Sequence, residues 1–350
     1  MGRYSFAIVL LFTALGLAES PSHGFQVWVS NERSGSVTVI DSESRKVVAT
    51  IAVGKRPRGI HPSPDAKLMY LAVSGSPIGE PPQLDSKGVP IFNKDDDDEK
   101  ADRSADGIVV LDVKGRRVVR KLPAGADPEQ FAVSADGRRL YVANEDVATA
   151  SVVDAVDGRV EQIVRVKKEP EGVGISPDGR LVYVTCETGG EVFVIDTNSN
   201  KSIAEIAVGN RPRSVVFSTD GSKAYIPSET GAMVSVIDTA VHKVTSTIKL
   251  PAGSRPMGTA LSRDGRTLFV STGRAGTVCM IDPQTGEVKK TITAGKRPWG
   301  IATSPDGKML FVANGPSNDV SIIDIERGAE VTRVKAGEGP WGIAVVEKSP

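Results

Sequence analysis

Hydrophobic and β-branched residues come in short runs along almost the whole chain, each run bounded by turn residues. Residues 298–336 show the unit. Pro298 to Ala302 reads as a first strand, followed by Ser304-Pro305-Asp306-Gly307, a tight turn in which glycine supplies the positive φ. Met309 to Asn314 reads as a second strand rich in β-formers, Asp319 to Asp324 as a third, and Ala329 to Lys335 as a fourth ended by Gly337. No stretch after the N-terminal segment sustains a helical period.

The third-strand pattern Val-x-Val-Ile-Asp, with variants, occurs seven times and ends at Asp41, Asp112, Asp154, Asp196, Asp238, Asp282 and Asp324. Most of these aspartates are 42 residues apart, and the first interval is 71. A period near 42 made only of strands predicts propeller blades, and the long interval predicts one insertion, residues 76–105. The last repeat stops after the first-strand segment Pro340 to Val346, while Phe25 to Asn31, Ser36 to Asp41 and Lys46 to Val53 supply three strands that lack a first. One blade is therefore expected to combine both ends of the chain, which leaves no open sheet edge. The predicted fold is all-β: a seven-bladed β-propeller of four-stranded blades over 19–350.

The first residues predict export. Met1-Gly2-Arg3 is a short basic start, and Phe6 to Leu17 is apolar but too short to span a bilayer. Small residues at Gly16 and Ala18 place cleavage after Ala18, so 1–18 reads as a signal peptide and the product as periplasmic or secreted, with no membrane span. Basic and acidic residues balance at 43 each, which argues against nucleic acid as a partner. Cys186 and Cys279 fall on blades two apart and read as small buried hydrophobes rather than a disulfide. The chain is expected to be a monomer.

Candidate chemistry lies in the loops between fourth and first strands, which share a face with the loops between second and third strands. Gly-x-Arg-Pro recurs there with Arg56, Arg211, Arg255 and Arg297. Glycine and proline suit a strand break and restart, but nothing in that role requires arginine. The residue after proline changes from blade to blade: Trp341, Arg58, Glu129, Glu171, Arg213, Met257 and Trp299. A structural residue would repeat, so the variation reads as a binding surface ringing the channel mouth. Acidic residues concentrate on two blades, and the blades beside them carry arginine and lysine. The expectation is an exposed basic arc with two tryptophans that holds an anion or an acidic protein.

Glu32, Glu145, Glu187 and Glu229 belong to the same face. Oxygen ligands converging there would suit Ca²⁺, against the plainer reading of solvated turn residues; the expectation is no cofactor and no metal. The insertion holds four prolines and the run Asp95-Asp96-Asp97-Asp98-Glu99. It reads as a mobile solvated loop, with a lid or a Ca²⁺-ordered flap as the alternative. The aspartates of Val-Ile-Asp and Ser-Pro-Asp-Gly recur around the ring as turn chemistry requires, so no catalytic residue is assigned.

Tyr141-Val142-Ala143-Asn144, Phe311-Val312-Ala313-Asn314 and Tyr183-Val184-Thr185-Cys186 resemble the YVTN repeat of surface-layer and related propellers. The order of Arg56-Pro57-Arg58-Gly59, Asp127-Pro128-Glu129, Glu169-Pro170-Glu171-Gly172, Arg211-Pro212-Arg213 and Pro340-Trp341-Gly342 resembles the PQQ-dependent catabolism-associated β-propeller family more closely. That resemblance implies a periplasmic accessory protein beside quinoprotein alcohol oxidation or linked transport. Its partner would be a dehydrogenase, a cytochrome or a transport component. The alternative is a Ca²⁺-dependent lactonase-like hydrolase, by analogy with other seven-bladed propellers.

Overall fold

The computed structural model describes residues 24–78, 83–84, 90–91 and 101–348. The expected export signal, 1–18, lies outside the described residues, as does most of the 76–105 insertion. Seven four-stranded antiparallel sheets follow one another around a ring. Blade 1 joins Pro340–Glu347 to Phe25–Asn31, Ser36–Asp41 and Lys46–Ala52. Blade 2 holds Ile60–Pro62, Leu68–Val73, Gly107–Asp112 and Arg117–Leu122. Blades 3 to 7 follow over 128–165, 170–207, 216–249, 256–293 and 298–335. The chain is thus a seven-bladed β-propeller, and its closing blade takes strands from both ends, as the repeat pattern predicts.

Position in the blade dictates composition. Second and third strands lie between two neighbouring blades and are buried on both faces, so they read as continuous apolar runs. Outer strands touch a neighbour only in part: in Lys201–Ala207 only Ile206 is fully buried. The core is correspondingly divided into seven clusters, one per gap between blades. Tyr70, Ile108 and Val110 of blade 2 meet Phe131, Leu140 and Val142 of blade 3. Val27 and Val29 of blade 1 meet Phe311, Val320 and Ile322 of blade 7 and complete the ring. Cys186 and Cys279 are free, buried, and in different clusters.

Turn chemistry occupies both recurrent aspartates. In six blades the Ser-x-Asp turn has the serine hydroxyl donating to the aspartate at 2.5–2.6 Å. The Asp136 carboxylate also accepts the Arg138 amide at 3.0 Å, and Gly137 takes φ +71°. The third-strand aspartates accept turn amides in the same way, as Asp196 does from Ser199 at 2.8 Å. Among the described residues, no helix is long and apolar enough to cross a membrane.

The seam between the chain's ends yields a direct test. Deleting Pro340 to Val346 removes the first strand of blade 1 and exposes the edge of Phe25–Asn31. The truncated protein is expected to aggregate, or to melt at least about 10 °C below the parent. Calorimetry alongside light scattering checks this, and a truncated form melting within a few degrees of the parent would contradict closure through that strand.

Candidate functional site

A repeated backbone frame builds the channel-mouth face. The residue before each blade-opening proline has a left-handed conformation: Arg56, Asp127, Glu169, Arg211, Arg255 and Arg297 at φ +41° to +56°, and Gly339 at +68°. Such φ values are costly outside glycine. The geometry turns the residue's carbonyl onto the first amide of the loop between second and third strands. Asp127 accepts from Glu145 at 3.0 Å, Glu169 from Glu187 at 2.9 Å, Arg211 from Glu229 at 2.9 Å and Gly339 from Glu32 at 2.8 Å.

Just after the proline, the first strand slips register against the second, between Pro128 and Phe131 and between Pro170 and Val173. Such bulges re-aim side chains, and here the post-proline side chain is drawn inward. Glycine two residues past the proline lets neighbouring first strands approach. A Cβ on Gly172 would meet the Arg213 carbonyl oxygen at 2.3 Å, and one on Gly342 the Arg58 carbonyl oxygen at 2.5 Å.

The burial that results corrects the expected exposed basic arc. Arg58 is 1 % exposed and Arg213 9 %, and Glu129, Glu171, Met257 and Trp341 are buried as well, with Trp299 half-buried. Arg58 of blade 2 reaches into blade 3 and pairs with Asp127 and Glu129, with Glu145 at 3.5 Å. Arg213 of blade 5 pairs with Glu171 and Glu187 of blade 4 and with its own blade's Glu229. Arg211 pairs with Glu187 and holds Glu229 at 3.1 Å. Arg56 sits 3.3 Å from Glu32 and 3.6 Å from Asp127. The acidic blades and their basic flanks therefore neutralise each other across blade gaps.

Glu32, Glu145, Glu187 and Glu229 are spent in the same way. They are ion-paired rather than solvated turn residues, which corrects the plainer expectation for them. Among the described residues no group of three or more His, Cys, Asp and Glu is arranged to hold a metal.

Carboxylates outnumber guanidinium groups in this network, and their protonation reflects it. Burial, reinforced by Glu171 and Asp127, outweighs Arg58 and raises Glu129 to about 7. Glu145 and Glu171 are likewise raised, chiefly by burial. Glu229 goes the other way: burial would raise it, but Arg213 and Arg211 bring it down to about 2. Burial would lower Arg58, yet Asp127 and Glu129 hold it above its ordinary value. Two buried atoms in this cluster, Arg58 Nε and Glu129 Oε2, have no hydrogen-bond partner.

Blades 6 and 7 differ. Trp299 and Trp341 lie with ring centroids 5.4 Å apart, and the guanidinium groups of Arg297 and Arg213 stand 4.9 and 5.6 Å from the Trp299 ring. Among the described residues, neither Arg255 nor Arg297 has a carboxylate within 4.0 Å.

Sequence reasoning passed over His61 and Gln130. They face each other at 3.4 Å beside a central cavity of about 130 Å³ that Ser214 and Thr259 also line. Burial lowers the His61 pKa. The available signal was positional: Gln130 stands where five blades have Gly59, Gly172, Gly258, Gly300 and Gly342.

The described part of the insertion is fastened to this face. Lys55 pairs with Asp102 at 2.7 Å, Arg103 with Asp146 at 2.6 Å, and Ser76 donates to Asp146 at 3.0 Å.

Two stability experiments follow from the buried pairs. Arg58→Met takes the counter-charge from Glu129 and leaves Asp127 with Arg56 alone, at 3.6 Å, and is expected to cost about 3–5 kcal/mol at pH 7 in denaturant unfolding. A loss below about 1 kcal/mol would contradict the network. The second concerns pH. The folded state holds the Glu129 proton up to about pH 7, while the unfolded chain releases it near its ordinary 4.5. Stability from this group is therefore complete below pH 4.5 and is lost as pH rises to 7. Glu129→Gln should flatten the stability profile across that window; an unchanged slope would show that the proton is not there.

Comparisons with known proteins agree with this architecture. A family model described as lactonase, 7-bladed β-propeller, matches residues 167–339, just under half the chain. No curated protein matches the sequence significantly. Among solved structures, hydrazine synthase of Kuenenia stuttgartiensis is similar at 20 % identity and a TM-score of 0.70, over 90 % of this chain and 99 % of that one. A protein of Bacteroides uniformis, provisionally assigned as a 6-phosphogluconolactonase, is similar at 17 % identity and a TM-score of 0.71, over 93 % of this chain and 100 % of that one. A functionally unknown protein of Desulfotomaculum acetoxidans reaches a TM-score of 0.73 at 14 % identity, over 93 % and 99 %. At these identities the structures establish a shared fold: this chain is a seven-bladed β-propeller whose second half is similar to the lactonase type.

Proposed function

We propose that this chain is an exported periplasmic binding propeller that serves quinoprotein, PQQ-dependent alcohol oxidation or the transport linked to it. It acts by docking a protein or ligand on its channel-mouth face. One observation carries the reading. The same left-handed residue, proline and inner strand recur in every blade, yet the residue after the proline is tryptophan twice, arginine twice, glutamate twice and methionine once. The backbone frame alone asks for none of these. Among the described residues, Arg58, Glu129, Glu171 and Arg213 are committed to ion pairs between blades, whereas Trp299 and the pre-proline Arg255 and Arg297 are not, and aromatic and arginine side chains are the usual anchors of recognition. Compartment and pathway come from the resemblance of Arg56 to Gly59, Asp127 to Glu129 and Pro340 to Gly342 to the PQQ-associated propellers.

A lactonase-like hydrolase is the second reading, favoured by a separate observation. The matching family model spans Glu171, Glu187, Arg213 and Glu229, and burial keeps the Glu171 carboxyl protonated well above its ordinary range. A carboxyl group protonated near neutral pH suits general-acid catalysis.

Burial of Arg58 and Arg213 makes them unfit as probes of docking, because changing them perturbs the fold. Arg255 and Arg297 are better. Arg255→Glu with Arg297→Glu is expected to abolish salt-sensitive capture of the dehydrogenase, cytochrome or transport component from periplasm of alcohol-grown cells, with an unchanged melting temperature. Undiminished capture would remove this face from the docking reading. Lactone hydrolysis by the parent that disappears in Glu171→Gln would establish the hydrolase instead.

A further inference from the structure

The ion-pair network that neutralises blades 2 to 5 stops short of blades 6 and 7, and a cleft opens there. Its volume is about 700 Å³, within the range of small-molecule sites. Arg255, Arg274, Lys296 and Arg297 line it, over a floor that includes the buried Met257 and Ala294. Among the described residues, none of these four cations has a carboxylate in ion-pair range, and no protein acceptor takes a hydrogen bond from their side chains. Arg333, also in the lining, is committed to Glu330 at 2.7 Å and to the Ala294 carbonyl at 2.8 Å. The one carboxylate in the lining, Glu229, is already held by Arg211 and Arg213.

This is a concentration of positive charge that the protein itself leaves unbalanced, on a face where Arg56, Arg58, Arg211 and Arg213 are all paired with carboxylates. Like charges around one recess repel each other. At Arg297 burial comes first and nearby Arg213 second in pressing its pKa down. The Arg297 guanidinium is also held 4.9 Å from the Trp299 ring, which fixes its plane and leaves its N–H groups free for a planar anion.

We propose that this cleft binds a small organic polyanion, with at least two carboxylate or phosphate groups. Two anionic groups are required because the cations come from three separate segments: Arg255 before blade 6, Arg274 in that blade's loop between second and third strands, and Lys296–Arg297 before blade 7. One oxyanion engages one such fork. The apolar floor suits a carbon skeleton between the charged groups. A small molecule fits better than a protein surface, because the cations line a recess, whereas a stable protein interface buries about 800 Å² on each partner. The site lies on the face assigned to docking but holds equally if that face serves hydrolysis.

Calorimetric titration of the full-length mature protein at low ionic strength tests the proposal, with citrate, inorganic phosphate, acetate and a hexaglutamate peptide as probes. Citrate is expected to bind at least tenfold more tightly than acetate. Arg274→Glu with Lys296→Glu, both exposed and unbonded, should weaken citrate binding more than tenfold without moving the melting temperature. Inorganic phosphate, a single oxyanion, binding more tightly than citrate would overturn the requirement for two anionic groups. Acetate binding as well as citrate, no binding of citrate or phosphate, or unchanged binding in the double variant would overturn it. Tighter binding of hexaglutamate than of citrate would overturn the small-molecule assignment in favour of an acidic polypeptide. Citrate binding lost while partner capture persists would separate this site from the docking function, which would then stand alone.

Discussion

Antiparallel pairing of Pro340–Glu347 with Phe25–Asn31 holds the other blades in place. No blade has a core of its own. Each buries the two faces of its middle strands only against its neighbours, as Tyr70 and Ile108 do against Phe131 and Leu140. A ring with one gap would leave two such faces in water, together with two open strand edges. Closing that gap with hydrogen bonds between chain ends lets every interface count, and the repeat needs no capping blade.

The closed ring in turn explains where the charges sit. First strands converge on the axis, and glycines such as Gly172 and Gly342 allow the approach. The proline bulge then draws the following side chain into a crowded rim, where a charge must find an opposite partner or lose its ionisation. Both outcomes occur. Arg58 and Arg213 stay charged inside carboxylate clusters, and burial raises Glu129, one of whose oxygens has no hydrogen-bond partner, to about 7 despite its pairing with Arg58. The rim carries two ion-pair clusters, one around Arg58 and one around Arg213, and lies open in blades 6 and 7.

Much of this architecture was legible in the residues. Asp41 to Asp324 mark seven third strands because turn chemistry demands a side-chain acceptor at one place in each blade, and the end segments complete a blade because each lacks what the other has. The identity of the site positions was also readable, since variation at the residue after proline stands out against a constant frame. Their environment was not. Arg58 and Asp127 are 69 residues apart and meet only across a blade gap, so no local pattern announces the pair. A charged residue beside a proline looks like a solvent-facing strand start unless the bulge that turns it inward is known. Gln130 was missed because the informative comparison was with glycines at the same position in other blades.

The seam also has a mechanical side. Phe25 faces Glu347 at one end of the pairing, and the Lys348 amide donates to the Gly24 carbonyl at 2.8 Å, so both chain ends leave from the same side of the two strands. A pull on the two termini would load these hydrogen bonds one after another, as a zipper is opened, and not all together as in shear. Lys348, paired with Asp41 at 2.5 Å and Glu43 at 3.0 Å, sits at the point where peeling would begin. Tension applied to the two termini is therefore concentrated at a single place in the ring, the Gly24–Lys348 end of the seam.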